Sequence, residues 1–300
     1  MEHKELIEKI NKLKKEKKAV ILVHNYQRPE IYEVADFLGD SLELCRQASK
    51  TDAKIIVFCG VDFMAESARI LNPDKLVLHP EKSSQCPMAH MASSDDILEA
   101  KKKHPDAAVV SYVNSTAEAK AVSGICCTSA NAVKVVNSLN ENEIIFTPDK
   151  NLAAYVQTKT DKKIISLAGY CYVHNGILAE DVKKAKEDHP DAKVMVHPEC
   201  GMDVIKEADA VCSTSQMIKY AKQSDAKEFI AVTECGMAKM LKREIPSKDF
   251  YAVGGICREM KNITLQKVYD CLLDETNKVE LDKDIMDKAR NALQRMMDVS

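Results

Sequence analysis

The 300-residue chain has no tryptophan, and aromatic residues make up only 5% of it. This argues against a stacking platform for single-stranded nucleic acid. Formal net charge is −3, so no broad basic field points to a nucleic-acid or membrane partner. Eleven cysteines are present, yet no two stand in a C-x-x-C pattern. Zinc-ribbon, thioredoxin and ferredoxin motifs are thus absent as local patterns, and any metal site must be assembled from distant cysteines. Apolar runs such as 55–60 and 107–113 are strand-sized, far short of a membrane span. The N-terminal stretch has no apolar core and does not read as a signal peptide. A cytoplasmic protein is expected, where structural disulfides are disfavoured.

What is present is an internal repeat. HPDA occurs at His104–Ala107 and again at His189–Ala192, and the similarity runs on without a gap. Tyr112 falls opposite His197, Asn114 opposite Glu199, and Ser129 opposite Thr214. A third copy at the N-terminus carries His24 and Ser41. The spacing of 17 residues from His24 to Ser41 recurs from Tyr112 to Ser129 and from His197 to Thr214. Each copy closes on an apolar run leading into a cysteine: Cys86, Cys171 and Cys257, 85 and 86 positions apart.

Each copy alternates strand-like runs with helical segments of about 10–15 residues, the signature of a parallel sheet covered on both faces. The expected fold is α/β, with three homologous αβα units. Their four-stranded parallel sheets are arranged around a pseudo-three-fold axis. The expected divisions are 1–88, 89–174, 175–260, and a helical tail at 261–300 that docks on the body. With nine glycines and nine prolines and no low-complexity linker, the copies should pack together.

In parallel sheets, ligands bind at the carboxyl ends of strands. His24, Tyr112 and His197 fall at the end of each first strand. Ser41, Ser129 and Thr214 fall at the end of each second strand, where they are expected to cap helices and help hold anions. Closure about an axis brings these six together with the three cysteines. Three converging thiolates suit an iron–sulfur cluster better than zinc, which usually adds a histidine or a fourth cysteine. A four-iron cluster held by three cysteines leaves one iron open as a Lewis acid. Cys45, Cys59, Cys126, Cys127, Cys212 and Cys271 read as buried hydrophobes. Cys200 and Cys235 lie near the expected site and could mimic ligands. Glu199 follows His197-Pro198 at a strand end and is the candidate general acid or base, with Tyr26 placed similarly. His79, His104 and His189 read as surface residues, and the lysines of 12–18 as a solvated helix face.

These motifs, taken in order, resemble the quinolinate synthase family: VHNYQRPE, FLGDSLEL, GVDFMAE, SSQCPMAHM, SYVNSTAEAKA, TSANAV, PDKNLA, GYCYVH, HPEC, CSTSQMI and GGICREMKNITL. The resemblance spans essentially the whole chain. It implies a [4Fe-4S] cluster on Cys86, Cys171 and Cys257. It implies a transferase that condenses iminoaspartate (iminosuccinate) with dihydroxyacetone phosphate, giving quinolinate, phosphate and two waters for NAD biosynthesis. It also implies a functional link to the enzyme that supplies iminoaspartate. The positions carried over as catalytic are Glu199, Tyr26, His24 and His197. The substrate-binding positions are His24, Ser41, Met64, Tyr112, Asn114, Ser129, His174, His197, Glu199 and Thr214. Three other readings of the residues stay open: a different iron–sulfur hydro-lyase, a non-catalytic cluster-bearing sensor, and zinc as a structural pin.

Overall fold

The first strand of each unit is a run of β-branched and aliphatic residues buried on both faces, as a central parallel strand must be. In the computed structural model, which describes residues 3–299, twelve strands form three four-stranded sheets. The first contains β1 (Ala19–His24), β2 (Phe37–Gly39), β3 (Ile55–Cys59) and β4 (Leu76–Leu78). The second contains β5 (Ala108–Tyr112), β6 (Ile125–Cys127), β7 (Glu143–Thr147) and β8 (Lys163–Ser166). The third contains β9 (Lys193–Val196), β10 (Ala210–Val211), β11 (Glu228–Val232) and β12 (Asp249–Val253). All pairings are parallel, and the order is the same in each: second, first, third, fourth. The expected α/β architecture of three like units is therefore present.

That strand order has a consequence for the site. The chain leaves the first strand toward one edge, then crosses back to build the other. The switch point lies between the first and third strands, where a crevice opens at their carboxyl ends. Register aligns those ends. Val23 pairs with both Leu38 and Cys59, and Val196 pairs with both Val211 and Val232.

The tail forms two long helices, Leu265–Asp274 and Lys283–Val299. The first packs on the N-terminal helix His3–Lys17, and Lys17 pairs with Glu275 at 2.7 Å. The second buries Met286, Ala289, Ala292, Leu293 and Met296 along one face. It bridges two units: Arg290 Nε donates to Ile70 O at 2.9 Å, and Arg295 Nη1 donates to Gly124 O at 2.6 Å. No helix among the described residues is long and apolar enough to cross a membrane.

Three expectations need correction. Ser41, Ser129 and Thr214 do not cap helices. Asp40 caps the helix Ser41–Lys50 and Ser213 caps Thr214–Gln223, each in a reciprocal capping box with the residue three places on. In the second unit Asn131 occupies the cap of Ala132–Ser138. His79 is buried, with Nε2 3.1 Å from Gly60 O, because the tail covers β4 through a bridge between Leu78 and Lys278. His104 and His189 are half-exposed. Lys14 is drawn from the solvated face to Asp36 (2.8 Å) and Val34 O (2.8 Å).

Candidate active site

One cavity, with about 740 Å³ of empty space, is lined by residues of all three units. Every site residue expected from the sequence lines it: His24, Tyr26, Ser41, Met64 and Cys86 from the first unit; Tyr112, Asn114, Ser129, Cys171 and His174 from the second; His197, Glu199, Thr214 and Cys257 from the third. Cys200 and Cys235 do not line it. Cys200 is buried beneath, with its thiol toward Val232 O, and Cys235 is half-buried ahead of the helix Gly236–Glu244.

The two histidines at first-strand ends are set alike. The backbone N–H of Tyr26 donates to His24 Nδ1 at 3.2 Å, and that of Glu199 donates to His197 Nδ1 at 3.4 Å. A ring nitrogen that accepts carries no proton, so the remaining N–H of each neutral ring is on Nε2. Burial pushes both imidazoles down to about 3. Lys261 lowers His24 further, and His174 does the same to His197. At neutral pH both are uncharged single donors.

Glu199 is buried at the centre of a hydrogen-bonded chain. Its Oε2 lies 2.7 Å from His174 Nδ1, and Tyr112 OH donates to Oε1. Burial alone would raise this carboxyl. Electrostatic interaction with the His174 and His197 rings and the bonds from His174 and Tyr112 instead hold it down at about 2. Beyond His174 the chain continues: Nε2 to Thr233 Oγ1 at 2.8 Å, and Thr233 Oγ1 to Tyr26 OH at 2.6 Å. The His174 ring stacks on His197 at 4.4 Å. Burial, then Glu199, pushes the Tyr26 phenol well up, so it is a proton donor at neutral pH. The arrangement can move a proton between Glu199 and Tyr26 along fixed groups.

Because Asp40 and Ser213 do the capping, the Ser41 and Thr214 hydroxyls sit on the first helical residue. Thr214 Oγ1 accepts from Asn25 Nδ2 at 3.0 Å. Asn114 Oδ1 is buried without a hydrogen-bond partner, an acceptor facing the site that wants a donor.

The three cavity cysteines occupy equivalent places, each immediately ahead of a single-turn helix: Pro87–His90, Tyr172–Asn175 and Arg258–Lys261. Burial pushes all three thiols up, Cys257 to about 12. Cys257 raises Cys86 further, while Glu199, Cys86 and Cys257 raise Cys171. Thiols that oppose one another's ionisation in a shared buried space become thiolates only beside concentrated positive charge. The donor set therefore fits a metal centre of sulfur-loving type. Cys171, His174 and Glu199 also present ligand atoms within 4.8 Å of one another.

The sequence profile of the quinolinate synthetase A protein family matches residues 8–298. The chain belongs to this family. It is 51% identical to the quinolinate synthase of Methanocaldococcus jannaschii over 302 aligned residues, covering 98% of each chain. It is 52% identical to that of Pyrococcus abyssi, over 99% of this chain and all of the relative. It is 49% identical to that of Alkaliphilus metalliredigens, over the full length of both.

Quinolinate synthases act on small molecules, and a cavity lined by hydroxyls, imidazoles and carboxylates is suited to that task. The sequence reading passed over Thr233, which links His174 to Tyr26. It also passed over Asp62, Asp149 and Glu234, which stand two or three residues past the end of each third strand. The signal was there in VDFMA, PDKNLA and TECGMA, since the switch point adjoins the third strand as well as the first.

Proposed function

We propose that this chain condenses iminoaspartate with dihydroxyacetone phosphate to form quinolinate, phosphate and two waters, in the cytoplasm and on the route to NAD. The observation that carries the reading is the joining of three repeat-matched cysteines and the chain Glu199–His174–Thr233–Tyr26 in one cavity. Cys86, Cys171 and Cys257 would hold a [4Fe-4S] cluster. Such a cluster, held by three thiolates, supplies an open Lewis-acidic iron that polarises a bound oxygen.

The chain's own groups do the rest. Both substrates are anionic. The Nε2–H groups of His24 and His197 donate to carboxylate or phosphate oxygens. The Ser41 and Thr214 hydroxyls lie at the N-termini of ten-residue helices whose dipoles favour negative charge. Ser129 and Tyr112 complete the grip in the second unit. Asn114 Oδ1, lacking a donor, accepts the imine or enamine N–H. Met64 forms apolar wall. Glu199 takes a proton from carbon or nitrogen during condensation, and Tyr26 gives one to a departing hydroxyl. His174 and Thr233 carry protons between them. Iminoaspartate hydrolyses in water, so the oxidation or amination that makes it must deliver it promptly to this cavity.

The test is anaerobic purification, iron and sulfide analysis, and product assay with dihydroxyacetone phosphate and freshly generated iminoaspartate. The expected result is a brown protein with about four irons and four sulfides per chain that forms quinolinate. A colourless protein holding one zinc and making no quinolinate contradicts the reading.

A further inference from the structure

The carboxylates Asp62, Asp149 and Glu234 face the backbone of the cysteine loops, and each loop is tied to its carboxylate segment in the same way. Two residues before each cysteine, a backbone carbonyl accepts from that segment. Ser84 O accepts from Asp62 N at 2.9 Å, Gly169 O from Lys150 N at 2.8 Å, and Gly255 O from Cys235 N at 3.0 Å. At the cysteine itself the direction reverses. Cys86 N donates to Asp62 Oδ1 at 2.9 Å, and Cys257 N to Glu234 Oε1 at 3.4 Å. The Cys171 N–H faces Asp149, whose Oδ1 takes the N–H groups of Asn151 and Leu152 and whose Oδ2 is buried with no hydrogen-bond partner.

We propose that Asp62, Asp149 and Glu234 are positioning residues for the three cysteines, each facing the backbone of a cysteine loop that its own segment also ties by a main-chain hydrogen bond two residues earlier. The proposal rests on the cluster reading above. A thiolate's direction follows from its backbone, and a ligand loop without such a grip can swing away. Glycines make the approach possible. A Cβ on Gly254 would lie 1.8 Å from Thr233 O, and one on Gly169 would lie 2.7 Å from Pro148 O.

The grip is reinforced unequally. Four residues past Cys86, His90 Nε2 meets Asp62 Oδ2 at 2.8 Å. Four past Cys257, Lys261 Nζ meets Glu234 Oε1 at 3.1 Å. Four past Cys171 stands Asn175, which binds Asn151 and leaves Asp149 without a cation. The third loop is latched by an ammonium–carboxylate pair, the first by an imidazole–carboxylate contact, and the middle one by hydrogen bonds among amides and backbone alone.

The experiment uses full-length protein reconstituted with iron and sulfide under anaerobic conditions. It follows iron release to a ferrous chelator and the cluster's midpoint potential. Asp62→Ala and Glu234→Ala should release iron about tenfold faster than wild type, the size of a lost charged hydrogen bond. Asp62→Asn and Glu234→Gln keep an acceptor oxygen, so release should stay within about twofold. Loss of a negative charge should nonetheless move their potential upward. Equal acceleration in the alanine and amide variants, or none in either, overturns the proposal. Should an alanine variant fail to fold, an amide variant with unshifted potential overturns it alone. Wild-type protein that takes up no iron would instead overturn the cluster reading, a separate failure.

Discussion

The first and third units place a neutral imidazole at the end of their leading strand. The second places a phenol there, Tyr112, and its donor bond goes to Glu199 of the third unit. The same unit breaks the pattern again four residues past its cysteine, with Asn175 where the others have His90 and Lys261. It also alone supplies a histidine three residues past the cysteine, His174, which reaches Glu199. Three like scaffolds make a centre, but joining two different substrates requires an asymmetric one. The second unit carries much of that asymmetry, and its departures converge on a single carboxylate.

The comparison can be broken hardest at that carboxylate. Glu199→Gln should lower kcat by about a thousandfold, in the usual span for a general acid or base, while iron and sulfide content stay at wild-type levels. Parallel loss of cluster and turnover would show a structural role instead. Tyr112→Phe removes the donor that only the second unit provides. A fall in kcat of about a hundredfold is expected, with a smaller change in KM. Thr233→Val cuts the chain between His174 and Tyr26 at nearly constant volume, and about a tenfold loss should follow. Thr233→Ser should restore much of it, and a serine variant as slow as valine argues against proton passage.

The smallest effect concerns pH and sharpens the contrast between imidazole and phenol. His24 and His197 have folded values near 3 against an ordinary 6.5. On acidification the unfolded chain binds their protons first, so stability falls as pH drops below 6.5 toward 3. Each ring should contribute about 1.4 kcal/mol per pH unit. Glu199, held at about 2, adds loss in the same direction below about 4.5. Urea midpoints measured from pH 6.5 to 5 should be less pH-sensitive in His24→Asn or His197→Asn, and unchanged in slope in Tyr112→Phe. Identical slopes in all three variants would contradict the assignment of buried neutral imidazoles.

The residues that could be read from sequence were those the repeat displays at constant spacing. The cysteine column and the first-strand column needed only alignment of the copies, and the strand pattern followed from apolar runs. In the first and third units the caps lie one position before the residues expected, although D-S-L-E and S-T-S-Q each carry the capping-box spacing that names Asp40 and Ser213. His79 is buried because the tail folds back over β4, a contact between Leu78 and Lys278 that no local pattern announces. Thr233 was hidden differently. Its role depends on hydroxyl-to-ring distances between units, and a threonine after a buried strand looks like any other. The carboxylates after the third strands were open to discovery, since strand order puts them beside the crevice.

The most direct test of the account is iron anomalous diffraction from an anaerobically grown crystal. The expected map places one compact iron cluster in bonding contact with the sulfurs of Cys86, Cys171 and Cys257, with one iron facing Glu199 and bound by no side chain. A single metal held by Cys171, His174 and Glu199, with Cys86 and Cys257 unbound, would contradict it.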